Sequence, residues 1–288
     1  MKKEKRLVNK IKHLIRKAKI PRYLHRFGPK IYEFWQHAFA LIAKALFRLS
    51  FRRTYKLLDQ LGFIVATKST LHRQAKTIPL KIWQDLLKAT LGVKSEIVAI
   101  DGTGLSKCTR SWHYIKRING DFVNSFYKMS VCIDVKNRKF ASIRLRAKRA
   151  SDIKDVKYLI NNLKNKPNLC IMDKGYDAEW LHLFLHRKKI NAIIPTRHQN
   201  LPIHETKGFY RKQMKKYFDK KTYNQRNIVE SLIFAFKKTF GDSVSSKLLT
   251  SAKAEVYCRA ISYNLFLFLF KFRDSANKLK KFIYSFKE

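Results

Sequence analysis

Three aspartates in this 288-residue chain end or nearly end apolar runs: Asp101 after IVAI, Asp134 after VCI and Asp173 after CIM. A carboxylate beside a buried strand is costly unless it is paired or bound to a metal, so such positions suit acid chemistry or hard-cation ligation. Scarcity narrows the choice, because only 20 Asp and Glu stand against 63 Lys and Arg. Asp134 opens DVKNRK, which is hairpin-turn chemistry. Asp101 and Asp173 are each followed closely by glycine, in DGTG and DKGYD, and glycine lets backbone approach a ligand. Ligands gather at the carboxyl ends of parallel strands, so two such motifs in one sheet say more than two turns would.

A third acid comes from YNQRNIVESLIFAFKKTF, residues 223–240, which reads as one long helix. At about 100° per residue, Tyr223, Arg226, Glu230 and Lys237 fall within about 60° of one another. Ile228, Leu232, Ile233, Phe236 and Phe240 cover much of the opposite side, with Phe234 the exception. An acid among two cations and a phenol could handle phosphate. It could equally be a solvated face with an Arg226–Glu230 pair at i,i+4, and helical geometry leaves both readings open.

Taken in order, these residues resemble a known family. Tyr223, Arg226, Glu230 and Lys237 match the spacing of the Tyr-Arg-Glu-Lys signature of DDE transposases from prokaryotic insertion sequences, and IDGTG and MDKGYD look like that family's first two acid motifs. The resemblance spans about residues 96–262, with weaker similarity in front. It implies a ribonuclease H-like core with acids on the first strand, the fourth strand and a late helix. Asp101, Asp173 and Glu230 would then be the catalytic acids and the ligands of two Mg²⁺ (or Mn²⁺) ions, since hard oxygen donors suit those metals over zinc. The implied reaction is in-line displacement at phosphorus: cleavage at element ends, then 3′-hydroxyl attack on target DNA. Arg226 and Lys237 would grip phosphates and Tyr223 would contact DNA. The family usually works as a homodimer on paired terminal inverted repeats. Thr196–Thr222, at 27 residues, is too short for the large insertion domain that some relatives carry there, so an aromatic receiving a flipped base is not carried over. Trp112 and Trp180 are read as core.

Positioning such acids needs a sheet. Residues 96–100, 127–135, 139–145, 168–172 and 191–195 read as short strands, with helices at 152–163 and 178–188 between the later ones. Three early strands followed by βαβ units imply an α/β chain with a mixed sheet flanked by helices. An all-α region precedes it. The first thirty residues hold twelve Lys and Arg and one acid, as a basic, partly helical arm, and helical periodicity follows from Ile31 to about Arg53. Next, a short amphipathic helix with Tyr55, Leu57, Leu58 and Leu61 stops at Gly62, and Thr67 or Ser69 can cap a second helix. That is helix-turn-helix grammar, with Arg73 and Lys76 as the DNA-contacting side chains; a purely structural hairpin fits it too. The expected division is 1–92 for the arm and DNA-binding helices, 93–262 for the catalytic domain and 263–288 for a helical tail.

A formal charge of +43 would make a compact chain repel itself without a polyanion, which points to nucleic acid first and an anionic membrane second. No run of about 18 apolar residues exists, and the best stretch, 34–51, is broken by Gln36, His37, Lys44 and Arg48. A soluble, cytoplasmic, nucleoid-associated protein is the expectation. The cysteines at 108, 132, 170 and 258 lack metal-knuckle or redox spacing, and Cys132 and Cys170 read as small core hydrophobes. GTGLSK is not a phosphate-binding loop motif. His182 and His186, at i,i+4 on a lysine-rich helix, are expected on the surface. Two alternatives remain beside the transposase: a ribonuclease H-like nuclease that cuts without joining, and a helix-turn-helix DNA-binding protein without chemistry.

Overall fold

The computed structural model describes residues 2–92, 95–107, 117, 126–148, 150–197 and 200–269. Trp112 and Cys108 lie outside these. Strand β1 (Ile97–Lys107) pairs antiparallel with β2 (Phe126–Asp134), and β2 pairs antiparallel with β3 (Lys139–Arg146). On the other side of β1, β4 (Leu169–Met172) and then β5 (Asn191–Ile193) add in parallel. Parallel neighbours need crossovers, and the two helices between them supply these: α6 (Ile153–Asn161) and α7 (Glu179–Arg187). The order β3-β2-β1-β4-β5 is the ribonuclease H-like arrangement that the resemblance implied. A two-residue strand, β6 (Ser243–Val244), pairs with the far end of β1.

β1 is much longer than its apolar run. DGTGLSK carries no strand signal of its own, yet it pairs residue for residue with β2 from Asp101↔Val131 to Ser106↔Phe126, with β6 pairing at Ser106 and Lys107 on its other edge. Asp101 therefore stands inside a strand, not at its end. Asp134 does close the hairpin. Its carboxylate accepts from the Ser95 hydroxyl at 2.6 Å, the Asn137 N–H at 3.0 Å and the Asn137 side-chain amide at 2.8 Å.

In front of the sheet lie α1 (Lys2–Lys17), α2 (Phe34–Leu46), α3 (Phe51–Gln60), α4 (Lys68–Thr77) and α5 (Leu80–Thr90). The helical period expected from Ile31 to Arg53 is interrupted. Arg48 takes φ 55°, and Ser50 starts a new helix by accepting from the Arg53 N–H at 3.2 Å. The helix–turn–helix segment forms as α3 and α4 around Gly62, whose φ of 76° suits glycine.

The sheet's pleat divides its burial between two cores. Ala99, Met129, Val131 and Ile171 pack with the front helices, with α10 (Asn227–Phe240) and with the long helix α11 (Leu249–Leu269). Val98, Ile100, Cys132, Cys170 and Met172 face α6 and α7 instead. Cys132, Cys170 and Cys258 are free and buried, and burial pushes the Cys170 thiol up to about 12. From α11, Asn264 clasps β3: it accepts from the Phe140 N–H and donates to the Phe140 carbonyl, both at 2.9 Å. Among the described residues no helix is long and apolar enough to cross a membrane.

Candidate active site

The last pair in the β1–β4 register is Ile100↔Met172, so Asp101 and Asp173 follow it side by side. Alternation puts both on the face of Ala99 and Ile171, which α10 covers through Val229, Leu232 and Phe236. Glu230, one residue beyond Val229, comes to the same edge. Each aspartate is steadied by a nearby peptide: the Gly102 N–H donates to Asp101 Oδ1 at 2.7 Å, and the Gly175 N–H donates to Asp173 Oδ1 at 2.6 Å. A Cβ at Gly175 would come within 2.8 Å of Asp173 Oδ1, so glycine permits that second approach.

The signature helix begins differently from the sequence expectation. Its start is the short α9 (Lys220–Tyr223), capped by Asp219, followed by a 3₁₀ turn at Asn224–Arg226 before α10 proper. Residues three apart eclipse in a 3₁₀ turn, which keeps Arg226 near Tyr223, close enough for its charge to act on the phenol. Arg226 Nη2 pairs with Glu230 Oε1 at 2.6 Å, and its Nη1 lies 3.9 Å from Asp101 Oδ2. One guanidinium thus bridges two of the three acids.

Burial raises the Asp101 carboxyl pKa, and the charges of Asp173 and Glu230 add to it; the Gly102 N–H and Arg226 pull the other way. Burial also raises the Tyr223 phenol, which feels Asp173 and Glu230 as well as Arg226. For Arg226, burial favours loss of the proton, but Glu230, Tyr223 and Asp101 hold its pKa above the ordinary value. Like-charged carboxylates next to one another in a half-dry site favour a bound cation. All three offer hard oxygen donors, the chemistry Mg²⁺ or Mn²⁺ selects. Among the described residues, no three acids, histidines or cysteines are drawn tightly enough to enclose an ion, and Arg226 supplies the positive charge between them.

The family model for the transposase DDE domain matches residues 93–265, well over half of the chain. The chain belongs to the DDE transposase family. A similar solved structure is the cryo-EM structure of piggyBac transposase synaptic complex with hairpin DNA, at 12% identity and a TM-score of 0.49, covering 90% of this chain and 71% of that one.

In this DDE transposase domain the structure gathers Asp101, Asp173, Glu230, Arg226 and Tyr223. Lys237 stands about two turns further along α10, half-buried. Burial lowers its pKa, and Asp242 is the acid that opposes this. Arg73 and Lys76 are exposed on α4, whose inner face buries Leu71 and Ala75. Trp180 is 41% exposed rather than core, with the Lys157 ammonium 4.9 Å from its ring. His186 is exposed as expected, but His182 is buried, beside Asp177 and stacked on Tyr210.

Several polar residues around the acids escaped sequence reading. Asp152 packs against Gly102, where a Cβ would come within 2.8 Å of Oδ2, and it pairs with Lys128 at 2.8 Å. Buried Asp155 accepts from Ser130 at 2.6 Å and pairs with Arg146 at 2.8 Å. Asp177 is held by Arg211 at 2.8 Å. The only available signal was acidity in a basic chain, and scarcity does not separate catalytic from structural acids.

Proposed function

We propose that this protein is an insertion-sequence transposase of the Tyr-Arg-Glu-Lys branch, cutting DNA at element ends and joining the freed 3′-hydroxyl to target DNA. One observation carries the reading: Asp101 on β1 and Asp173 directly after β4 both follow the last paired residues of adjacent parallel strands, and Arg226 links Asp101 to Glu230 on α10. The family match over residues 93–265 supports placing the chemistry in that range. Asp101, Asp173 and Glu230 would hold two Mg²⁺ or Mn²⁺ ions, which when bound supply activation of the attacking hydroxyl and stabilisation of the leaving oxygen. Arg226 pairs with Glu230 and Asp101, and with a metal on the acids its planar fork would suit a phosphate instead. Tyr223 and Lys237 would line the DNA path along the same helix.

Residues 1–92 would recognise terminal inverted repeats, through the basic arm and through Arg73 and Lys76 on α4. Residues 93–262 would do the chemistry, and two copies would act on paired ends. The charge of +43 supports a nucleic-acid partner and a place on the nucleoid. The test incubates the protein with Mn²⁺, a labelled element end and a target duplex. Joined product is the expected result. Cutting without joining would leave a nuclease, and binding alone would leave a DNA-binding protein without chemistry.

A further inference from the structure

The loop that carries Asp173 runs on through a 3₁₀ turn, Lys174–Tyr176, to buried Asp177. Both Asp177 carboxylate oxygens are engaged. Oδ1 accepts from Arg211 Nε at 2.8 Å, and Oδ2 accepts from the Arg197 N–H at 3.1 Å. Arg211 Nη2 also donates to the Asp177 carbonyl at 3.0 Å. Arg197 returns to the same loop, donating to the carbonyls of Gly175 at 2.7 Å and Lys174 at 3.4 Å. The peptide group of Gly175 in turn donates to Asp173 at 2.6 Å. A continuous set of hydrogen bonds therefore joins Asp177, through Arg197 and Gly175, to Asp173.

Arg211 comes from α8 (Phe209–Lys216), which has no buried residue. Polar contacts hold this helix to the body. The Glu179 carboxylate caps it by accepting from the N–H groups of Tyr210 at 2.9 Å and Arg211 at 3.4 Å, and the Tyr210 ring stacks 6.2 Å from buried His182. Gly208, at φ 99°, makes room for that cap, since a Cβ there would collide with the Glu179 carboxylate. A segment with so little apolar burial opens locally at low cost. Its attachment, and the shape of the Asp173 loop, then depend on the charge-assisted bonds of Asp177.

We propose that Asp177 is the positioning residue of the candidate active site: clamped by Arg211 and Arg197, it fixes the loop that sets Asp173 level with Asp101. Asp177 touches no substrate and acts through the backbone of residues 174–176. Misplacing a reacting group by about 1 Å can cost on the order of 100-fold in rate, so a clamp of this kind has a measurable effect. The activity arm of the test rests on the transposase reading; the backbone arm does not.

The experiment compares full-length parent with Arg211→Ala, Arg211→Lys and Asp177→Asn, and with Lys212→Ala as the control for a charge lost from α8. It reads amide hydrogen exchange at residues 174–177, the Mn²⁺ concentration for half-maximal cleavage of a labelled DNA end, and DNA affinity with Ca²⁺ present. Arg211→Ala and Asp177→Asn are expected to exchange several-fold faster over 174–177, to need several-fold more Mn²⁺, and to cut about 10–100-fold more slowly. Their DNA affinity should match that of Lys212→Ala, with Arg211→Lys intermediate in exchange and metal demand. Should Asp177→Asn fail to fold, Arg211→Ala carries the test, because its side chain is 30% exposed. Unchanged exchange and unchanged Mn²⁺ dependence in folded Arg211→Ala would overturn the proposal. If the parent cuts no DNA end, the transposase reading falls, and the exchange rates alone decide the clamp.

Discussion

Asp101 is the residue on which stability and chemistry pull in opposite directions. Burial and the neighbouring charges of Asp173 and Glu230 raise its pKa, so the folded protein binds its proton more tightly than the unfolded chain does. Its contribution to stability is fully present below the ordinary aspartate pKa and is lost as pH rises through the raised one. Without metal, Asp101→Asn should therefore melt higher than the parent at pH 7, with the gap closing as pH falls into the carboxylate range. Thermal melts in EDTA at several pH values check this, and a lower Asn melting temperature at pH 7 would refute it. A metal held by Asp101 would compete with that proton, so the Mn²⁺ concentration for half-maximal cleavage should rise on acidification. If they hold the metal as proposed, Asp101→Asn, Asp173→Asn and Glu230→Gln should each abolish cleavage in Mn²⁺ while keeping DNA affinity, because each removes a carboxylate charge without changing size. Near-parental cleavage by any of the three would remove that residue from the site. Asp134→Asn belongs to a different class. It disturbs three hydrogen bonds at a hairpin and should cost about 1–3 kcal/mol in denaturant unfolding without altering the Mn²⁺ dependence.

At the scale of elements, legibility follows how local the determining interactions are. β4 and the acid after it could be read because LCIM is a continuous apolar run that a glycine-containing loop ends. The second half of β1 could not, because DGTGLSK is made a strand by its partners β2 and β6. The inner side of α10 was legible from its period: Leu232, Ile233, Phe236 and Phe240 are buried, and Phe234, the expected exception, is 68% exposed. The tightening at Asn224–Arg226 and the break at Arg48–Ser50 are choices of cap and turn within otherwise helical sequence, to which hydrophobic period is blind. The Asp177–Arg211 pair joins residues 34 apart and has no local signature at all. Contacts assign α10 a measurable task, which is to carry Glu230 on a rigid anchor. Phe236 packs against Phe140 on β3 at 5.1 Å and Phe240 at 5.2 Å between ring centroids. Phe236→Ala should cost about 3–5 kcal/mol in denaturant unfolding. Phe234→Ala, on the outer side of the same turn, should stay within about 0.5 kcal/mol. Equal costs would mean that α10 is not anchored by the face assigned here.

For the whole molecule the governing quantity is charge. A sum of +43 on 288 residues leaves many more cations than the acids can pair, and those on the exposed faces of α4 and α8 have water as their alternative to phosphate. Each phosphate neutralised on duplex DNA releases condensed counterions, with a log–log slope of affinity against salt of about −0.9 per contact. A protein gripping on the order of ten phosphates should lose roughly 10³–10⁵ in affinity between about 50 and 200 mM salt. The structure separates cations that should carry this slope from one that should not. Arg73 and Lys76 are exposed on α4, so Arg73→Ala and Lys76→Ala should each flatten the slope by about one unit. Arg226 is engaged by Glu230 at 2.6 Å, and in metal-free protein it has little charge to spare for DNA. Arg226→Ala should therefore leave the slope nearly unchanged in EDTA and flatten it by about one unit once Ca²⁺ takes over the acids. Fluorescence-anisotropy titrations at four or more salt concentrations, with and without Ca²⁺, make the comparison. A slope for Arg226→Ala that does not depend on Ca²⁺ would mean that the guanidinium does not change partners between acids and phosphate.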